Sequence, residues 1–237
     1  MIHQFILAAP KPGLSAAGFQ DYWLHHHAVD YASKIPQIRR YLIDSRIPLD
    51  DDTAGATGLP HQGIAEIWLD SEEDQLASLQ TPEFLLGARR DEPNWAGFWM
   101  TVVLDTTAYE IVPGPAQTGK DPSWVKLTVL SKRAPGLDLA DYRERSLEQY
   151  APVLAKTPGV LRYLHAQTRD GFYGFGEAVL DSVDQLWFAD TDSLKAALRS
   201  PYFAEQVLPL RAGLTDPRYV WALAARENWV VGPDLEG

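Results

Sequence analysis

One stretch of this chain places an imidazole among aromatic side chains at helical spacing. It reads Phe19-Gln20-Asp21-Tyr22-Trp23-Leu24-His25-His26-His27-Ala28. A helix turns by about 100° per residue, so Phe19, Trp23 and His27 share one face. Imidazole titrates near neutral pH and can therefore act as a general acid or base. The pattern predicts that His27 points inward from the helix, which makes it a candidate general acid or base.

The three consecutive histidines do not suit a metal ion. Neighbouring residues diverge around a regular helix, whereas metal-binding pairs on helices usually stand four residues apart. The chain contains no cysteine, which removes thiolate ligands and thiolate nucleophiles. We therefore expect no metal. We also expect no cofactor, because the sequence has no Gly-x-Gly-x-x-Gly or Walker loop for a nucleotide, and the less favoured haem alternative meets Tyr150 at the matched site of the second half. The alternative interpretation of His27 is a core histidine that is hydrogen-bonded to a backbone carbonyl.

Further side chains are candidates for the same site. Tyr22 and Tyr41 could donate hydrogen bonds to a developing enolate, or could be half-buried aromatics without a direct role. Asp30 could orient His26 or His27 from the edge of the helix. The residues that could bind a substrate are Trp23, His26, His61, Trp95 and Trp99.

The elements that must position these side chains occur twice in the chain. The landmarks of the first half are Pro12-Gly13-Leu14, Arg40-Tyr41-Leu42, Trp68 and Pro82. Their counterparts, in the same order, are Pro135-Gly136-Leu137, Arg162-Tyr163-Leu164, Trp187 and Pro201. A period of about 120 residues indicates a duplicated domain, since solenoid repeats are much shorter. We expect one domain at 1–112, a linker at 113–123 and a second domain at 124–237.

Each half follows the order β-α-β-β-α-β. In the first half the predicted strands are 2–8, 38–43, 63–69 and part of 99–112, the helices are 15–34 and 71–79, and 85–97 is irregular. In the second half the predicted strands are 124–131, 160–167, 185–188 and 219–225, and the helices are 139–156 and 192–198. This order predicts an α+β fold of two ferredoxin-like repeats. Their antiparallel sheets would pack face to face as an intramolecular dimeric α/β barrel.

Composition limits the possible partners. The formal net charge of -11 argues against nucleic acid and against an anionic membrane surface. We find neither a secretory signal at the N-terminus nor an apolar run approaching the roughly 18 residues of a membrane span. We expect a cytoplasmic protein that binds an apolar aromatic small molecule, as a monomeric pseudo-dimer or a homodimer.

The first half resembles the EthD family of dimeric α/β-barrel proteins. The matching positions are Phe19, Tyr22, Trp23, His27, Ala28, Pro36, Arg40 and Tyr41, with segments 63–68 and 81–84. The resemblance is weaker in the second half, where Tyr150 falls on His27 and Ser146 falls on Trp23. It implies a cofactor-independent lyase, cyclase or isomerase that acts on an aromatic or polyketide-like carbonyl compound. His27 would be its general acid or base.

A second hypothesis comes from another functional class. The protein could be a non-catalytic carrier or accessory barrel, whose pocket needs no titrating group. An enzyme needs the pKa of His27 to lie near neutral pH and its ring to be reachable from a cavity. The sequence also leaves open a second pocket around Tyr150 and His165.

Overall fold

The computed structural model describes residues 1–49, 54–114, 122–174 and 176–232. Three parts of the sequence-based predictions lie outside these residues. The sequence also predicts a polar loop at 44–62 and a Gly-rich connection at 171–176. The parts outside are Asp50, Asp51 and Asp52 of that loop, most of the predicted linker, and Phe175 of that connection.

Eight strands of the described chain close into one antiparallel barrel. They are β1 (Ile2–Ala8), β2 (Arg40–Arg46), β4 (Gly63–Leu69), β5 (Val102–Val112), β6 (Val125–Arg133), β7 (Arg162–Thr168), β8 (Ser182–Phe188) and β9 (Thr215–Val231), with a short β3 (Thr57–Gly58) between β2 and β4. The order around the barrel is β2-β4-β1-β5-β7-β8-β6-β9, and β9 pairs again with β2. The short β3 adds to β9 in parallel. The predicted α+β fold with a closed barrel is confirmed.

The two half-barrels join through hydrogen-bonded edges. Strand β5 of the first half pairs antiparallel with β7 of the second, and β9 pairs with β2. The sequence predicted two sheets packed face to face. In the structure their inner faces meet across the barrel interior, and their edges are in addition joined by these two strand pairs. Edge pairing satisfies backbone groups that an open sheet would leave exposed.

The barrel interior combines an apolar layer with a buried charge cluster. The apolar layer includes Phe5, Leu7, Ile64, Leu104, Leu130 and Leu223. The Nζ atom of Lys126 lies 2.8 Å from Asp44, 2.5 Å from Glu66 and 2.8 Å from Glu227. Burial raises the pKa of Asp44 well above its usual range. The positive charge of Lys126 lowers this pKa but does not offset the effect of burial, because Asp44 shares Lys126 with Glu66 and Glu227. Buried charges of this kind persist only when they are paired.

Helices cover the outside of the barrel. They are α1 (Ala16–Tyr22), α2 (Glu72–Ser78), α3 (Arg89–Asp91), α4 (Leu139–Arg145), α5 (Ala151–Leu154), α6 (Thr191–Leu198) and α7 (Leu208–Ala212). Four segments adjoining them are π-helical, namely Trp23–Tyr31, Glu83–Ala88, Ser146–Tyr150 and Phe203–Val207. Each repeat has two such segments, and they occur at matching places in the two repeats. The wider helical turn is therefore a feature that both repeats share. Such segments often occur at functional sites. Within the described ranges, no helix is long and apolar enough to cross a membrane.

The predicted helix starts are confirmed, but one predicted irregular region is wrong. Ser15 caps α1 by accepting a hydrogen bond from the Gly18 amide, and Ser71 caps α2 in the same way. The segment 85–97 is mostly helical, since the π-helical segment leads into α3 and then into a 3₁₀ turn at Glu92–Asn94. Exposed leucines and Pro93 hid the helical period in the sequence. Proline is compatible with the first residues of a helical turn.

Candidate active site

His27 lies on the π-helical segment that continues α1 and faces the sheet. Only 7% of the residue is exposed. Phe19 and Trp23 on the same stripe are also buried, as the spacing predicted. The neighbouring side chains of His25 and His26 are 64% and 57% exposed. One histidine of the three therefore points towards the core.

A carboxylate holds the His27 ring in place. The Nδ1 atom of His27 lies 2.9 Å from Oδ2 of Asp91, which is buried at the end of α3. The other carboxylate oxygen of Asp91 accepts hydrogen bonds from the Tyr22 hydroxyl at 2.8 Å and from the Asn94 amide at 2.9 Å. Burial raises the pKa of Asp91, but the hydrogen bonds from Asn94, His27 and Tyr22 outweigh it and the net pKa is lowered. Because ionised Asp91 only accepts, Nδ1 of His27 must carry the proton and donate it.

The other ring nitrogen of His27 is left as a base. Nε2 has no hydrogen-bond partner in the part of the chain that the structure describes. Burial lowers the pKa of His27, and the nearby Asp91 only partly opposes this shift. His27 is therefore neutral at neutral pH, with the lone pair of Nε2 available to accept a proton.

A cavity of about 90 Å³ adjoins the His27 ring. Most of its lining is apolar, and the polar members are His27, Tyr41, Glu92 and Thr101. An apolar cavity of about 150 Å³ holds one benzene ring. The cavity as it stands is smaller, so it must widen before a whole aromatic ring can enter.

Stacked indoles form one wall of the cavity. The ring of Trp95 lies 4.6 Å from the His27 ring and 4.9 Å from the Trp23 ring. Trp95 is 4% exposed, and its Nε1 has no hydrogen-bond partner among the described residues. An unpaired buried N–H is costly. A ligand oxygen in the adjoining cavity would be a suitable acceptor for it.

The structure brings only some of the predicted site residues together. Trp23, Tyr41 and Trp95 line the cavity with His27. Tyr22 is absent from the cavity lining and instead donates its hydroxyl hydrogen bond to Asp91. Its hydroxyl is therefore engaged by the carboxylate that also holds His27.

The remaining candidates lie away from the cavity. His61 is buried, and its Nε2 lies 2.8 Å from the backbone oxygen of Met100. Trp99 is 69% exposed. Asp30 lies 3.8 Å from the exposed His26 ring, so it does not orient His27. None of these residues, nor His26, lines the His27 cavity.

Sequence reasoning missed Asp91, which is the partner of His27. The residue lies in the segment that we predicted to be irregular, 64 positions from His27. The signal that could have found it is the spacing of Asp91 and Asn94, which is typical of a helical turn whose side chains contact each other. A helix predicted at this segment would have placed Asp91 on the face that packs against the first helix.

The matching space of the second repeat is filled by a polar network. His165 Nδ1 lies 2.7 Å from Asp184 Oδ1, and His165 Nε2 lies 3.2 Å from the Ser146 hydroxyl. The Tyr163 hydroxyl donates to Asp184 at 2.5 Å. His165 is fully buried, so both of its ring nitrogens are occupied inside the protein.

No cluster of three or more histidine and carboxylate side chains within the described ranges is arranged to hold a metal ion.

Comparisons with solved structures identify the same architecture. An anthrone oxidase-like protein aligns over 99% of this chain and 94% of its own, with a TM-score of 0.64 and 13% identity. A candidate monooxygenase from Fusobacterium nucleatum aligns over 97% of this chain and 92% of its own, with a TM-score of 0.56 and 8% identity. At such identities the likeness shows the fold alone.

Sequence comparison identifies the family. No curated protein matches the chain. The model of the EthD domain matches residues 11–98 and again residues 134–218, once in each repeat and over most of the chain. This chain belongs to the EthD-domain family.

Proposed function

We propose that this protein is a cofactor-independent enzyme that removes a proton from the carbon next to a carbonyl group. The observation that carries the proposal is the state of His27. Its Nδ1 is held by buried Asp91, while its neutral ring adjoins a cavity. A base that is oriented by a carboxylate and free at the other nitrogen is the arrangement that general base catalysis requires.

The proposed step needs a base and hydrogen-bond donors. Nε2 of His27 takes the proton, the C–H electron pair forms the enolate double bond, and the carbonyl oxygen becomes negative. Tyr41 lines the cavity, and burial raises the pKa of its hydroxyl, so that it stays protonated and able to donate. The unpaired Nε1–H of Trp95 is a second donor at the same cavity. Donors of this kind stabilise the developing negative charge.

The walls of the cavity favour an apolar aromatic substrate. Trp23, Phe84 and Trp95 offer flat aromatic surfaces, and the remaining lining is largely aliphatic. Formation of an enolate is the first step that lyases, cyclases and isomerases of carbonyl compounds share. An anthrone, after which one structural neighbour is named, also carries an acidic carbon conjugated with its carbonyl group. We also interpret each half as a ferredoxin-like unit, which the strand orders β2-β4-β1-β5 and β7-β8-β6-β9 support.

The test is hydrogen exchange at carbon. Benzylacetone is incubated with the protein in heavy water, and loss of the proton signals beside its carbonyl is followed by nuclear magnetic resonance. We expect His27→Gln to lower the exchange rate by at least about 100-fold, the usual contribution of a general base. The matched control is His26→Gln, because His26 is exposed on the same helical segment. Equal exchange in the His27 variant and the wild-type protein would refute the proposal.

The second candidate function is a non-catalytic binding barrel. It is favoured by the same cavity, since a carrier needs the apolar walls and no base. A wild-type protein whose Trp fluorescence responds to benzylacetone, but which exchanges no protons, would be such a carrier. The indoles of Trp23 and Trp95 at the cavity provide the fluorescence signal.

A further inference from the structure

The cavity has a second ionisable side chain that general base catalysis alone does not use. Glu92 follows Asp91 directly, and it lines the cavity together with His27. Its side chain is 25% exposed and forms an ion pair with Arg89. Adjacent carboxylates thus have different surroundings, because Asp91 supports the imidazole and Glu92 lies at the cavity wall.

We propose that Glu92 is the second proton-transfer group of this cavity, and that the substrate is a neutral aromatic β-hydroxy carbonyl compound that loses water. This inference rests on the proposed function of His27. It adds the acid that the reaction needs and names the substrate class.

The charges around the cavity favour a neutral substrate. A β-keto acid would bring a carboxylate, which needs a cation in an apolar pocket. The guanidinium of Arg89 is already paired with Glu92, and no Lys or Arg lines the cavity within the described residues. A substrate carboxylate would therefore enter this largely apolar cavity without a cation to pair with.

Elimination of water needs both groups. His27 Nε2 receives the proton from the carbon beside the carbonyl, and the C–H electron pair forms the new carbon–carbon double bond. The C–O bond breaks, and the departing oxygen takes its electron pair together with the proton of Glu92, which gives water. His27 ends as a cation and Glu92 as an anion, and solvent returns the proton from one to the other. The net change is substrate to enone and water.

The surroundings of both residues favour the required protonation states. Burial lowers the pKa of His27, which keeps the base neutral. Burial also raises the pKa of Glu92, although the ion pair with Arg89 opposes this shift and nearby Asp91 adds to it. Both pKa shifts run in the direction that the mechanism needs, towards a neutral imidazole and a protonated carboxyl.

The second repeat has lost both groups together. Tyr150 stands at the His27 position, and Arg211 stands at the Glu92 position when Phe84 is aligned with Phe203. The guanidinium of Arg211 is buried and donates to the backbone oxygens of Ala54 and Gly55. The second repeat, which has no histidine at the His27 position, therefore has an arginine at the Glu92 position that holds a backbone segment in place.

Two assays on the intact protein separate this inference from the function on which it rests. The first is proton exchange of benzylacetone in heavy water, which needs only the base. The second is loss of water from the aldol adduct of acetone and benzaldehyde, which gives ultraviolet-absorbing benzylideneacetone. We expect Glu92→Gln to lower the elimination rate by about 100-fold while exchange stays within about threefold of wild type.

Matched variants complete the design. Glu72→Gln removes a carboxylate that is likewise paired with an arginine, Arg169, away from the cavity, and it should change neither rate. Retained exchange in Glu92→Gln shows that the site is folded, and Glu92→Asp should restore part of the elimination rate.

Each outcome decides the inference. Equal elimination by Glu92→Gln and wild type overturns it, and so does a wild-type protein that exchanges protons without eliminating water. A wild-type protein that does neither refutes the proposed function, and the role of Glu92 fails with it.

Discussion

The two repeats place different chemistry in matching spaces between helix and sheet. In the first repeat Trp23 and Ala65 line a small cavity together with His27, which has one ring nitrogen without a partner among the described residues. In the second repeat Ser146 and Asp184 take those two positions. The space that the smaller serine side chain leaves is occupied by the ring of His165.

The second repeat holds the residue types of a catalytic triad in a fully buried arrangement. The Ser146 hydroxyl donates to the backbone oxygen of Arg143 at 3.1 Å, and the residue is 1% exposed. His165 contacts Ser146 and Asp184 with its two nitrogens. The two repeats thus differ in access, because the second ring nitrogen of His165 is enclosed by Ser146, whereas the His27 ring adjoins a cavity.

The largest expected effect comes from replacing His27 with tyrosine, the residue type that the second repeat has at the matching position 150. His27→Tyr should lower carbon-proton exchange by about 100-fold or more, because phenol is a poor base at neutral pH. Tyr150→Phe, at the matching position, should leave exchange unchanged. Equal losses in both variants would contradict the assignment of one active repeat.

A stability measurement addresses the polar network of the second repeat. Asp184→Ala removes the acceptor of both His165 and Tyr163, which are buried. Unsatisfied buried groups cost about 1–3 kcal/mol each, so we expect the free energy of unfolding to fall by about 3 kcal/mol. Urea denaturation measures the loss. Exchange per folded molecule should not change, and a loss of exchange would place the second repeat in the reaction.

The role of Asp91 has a signature in the pH dependence. Exchange should rise with pH through the lowered pKa of His27, because only the neutral ring accepts a proton. Asp91→Asn removes a charge that raises that pKa, so the rising limb should move to lower pH. The plateau rate should fall by about 10- to 100-fold, as for other residues that orient a reacting ring. A lower rate with an unmoved limb would leave Asp91 with a structural role only.

The smallest effect tests why Trp23 fits the first repeat. A Cβ at Gly63 would lie 2.9 Å from both the Trp23 ring and the backbone oxygen of Asp44. Gly63→Ser copies Ser182 of the second repeat and should lower the free energy of unfolding by about 1–3 kcal/mol through overpacking. Ser182→Gly removes a hydrogen bond to Tyr142 and should cost about 1 kcal/mol. Thermal unfolding compares the two, and an unaffected Gly63→Ser would show that the space is not tight.

Local patterns predicted the elements that lie close to their own sequence signals. The bounds of β1 and β4 are those expected from apolar runs bounded by turn residues, and His27 is buried because its stripe is apolar. The spacing of Asp91 and Asn94 could indicate a helical turn, but the contact of Asp91 with His27 depends on helix packing across 64 positions, which no local pattern specifies. The last strand was predicted at 219–225 but runs from Thr215 to Val231. Its extra length pairs with β2, and no local pattern specifies such a distant partner.

Closure of the barrel has a consequence for folding in the cell. The side-chain amide of Asn228 donates a hydrogen bond to the backbone oxygen of Ile43, 185 positions earlier in the chain. Strand β2 therefore leaves the ribosome long before its neighbour β9 has been synthesised. Contacts between such distant residues slow folding, and an unpaired strand edge can recruit another chain in the meantime. The edge of β2 that pairs with β9 can therefore be satisfied only after β9 has been synthesised.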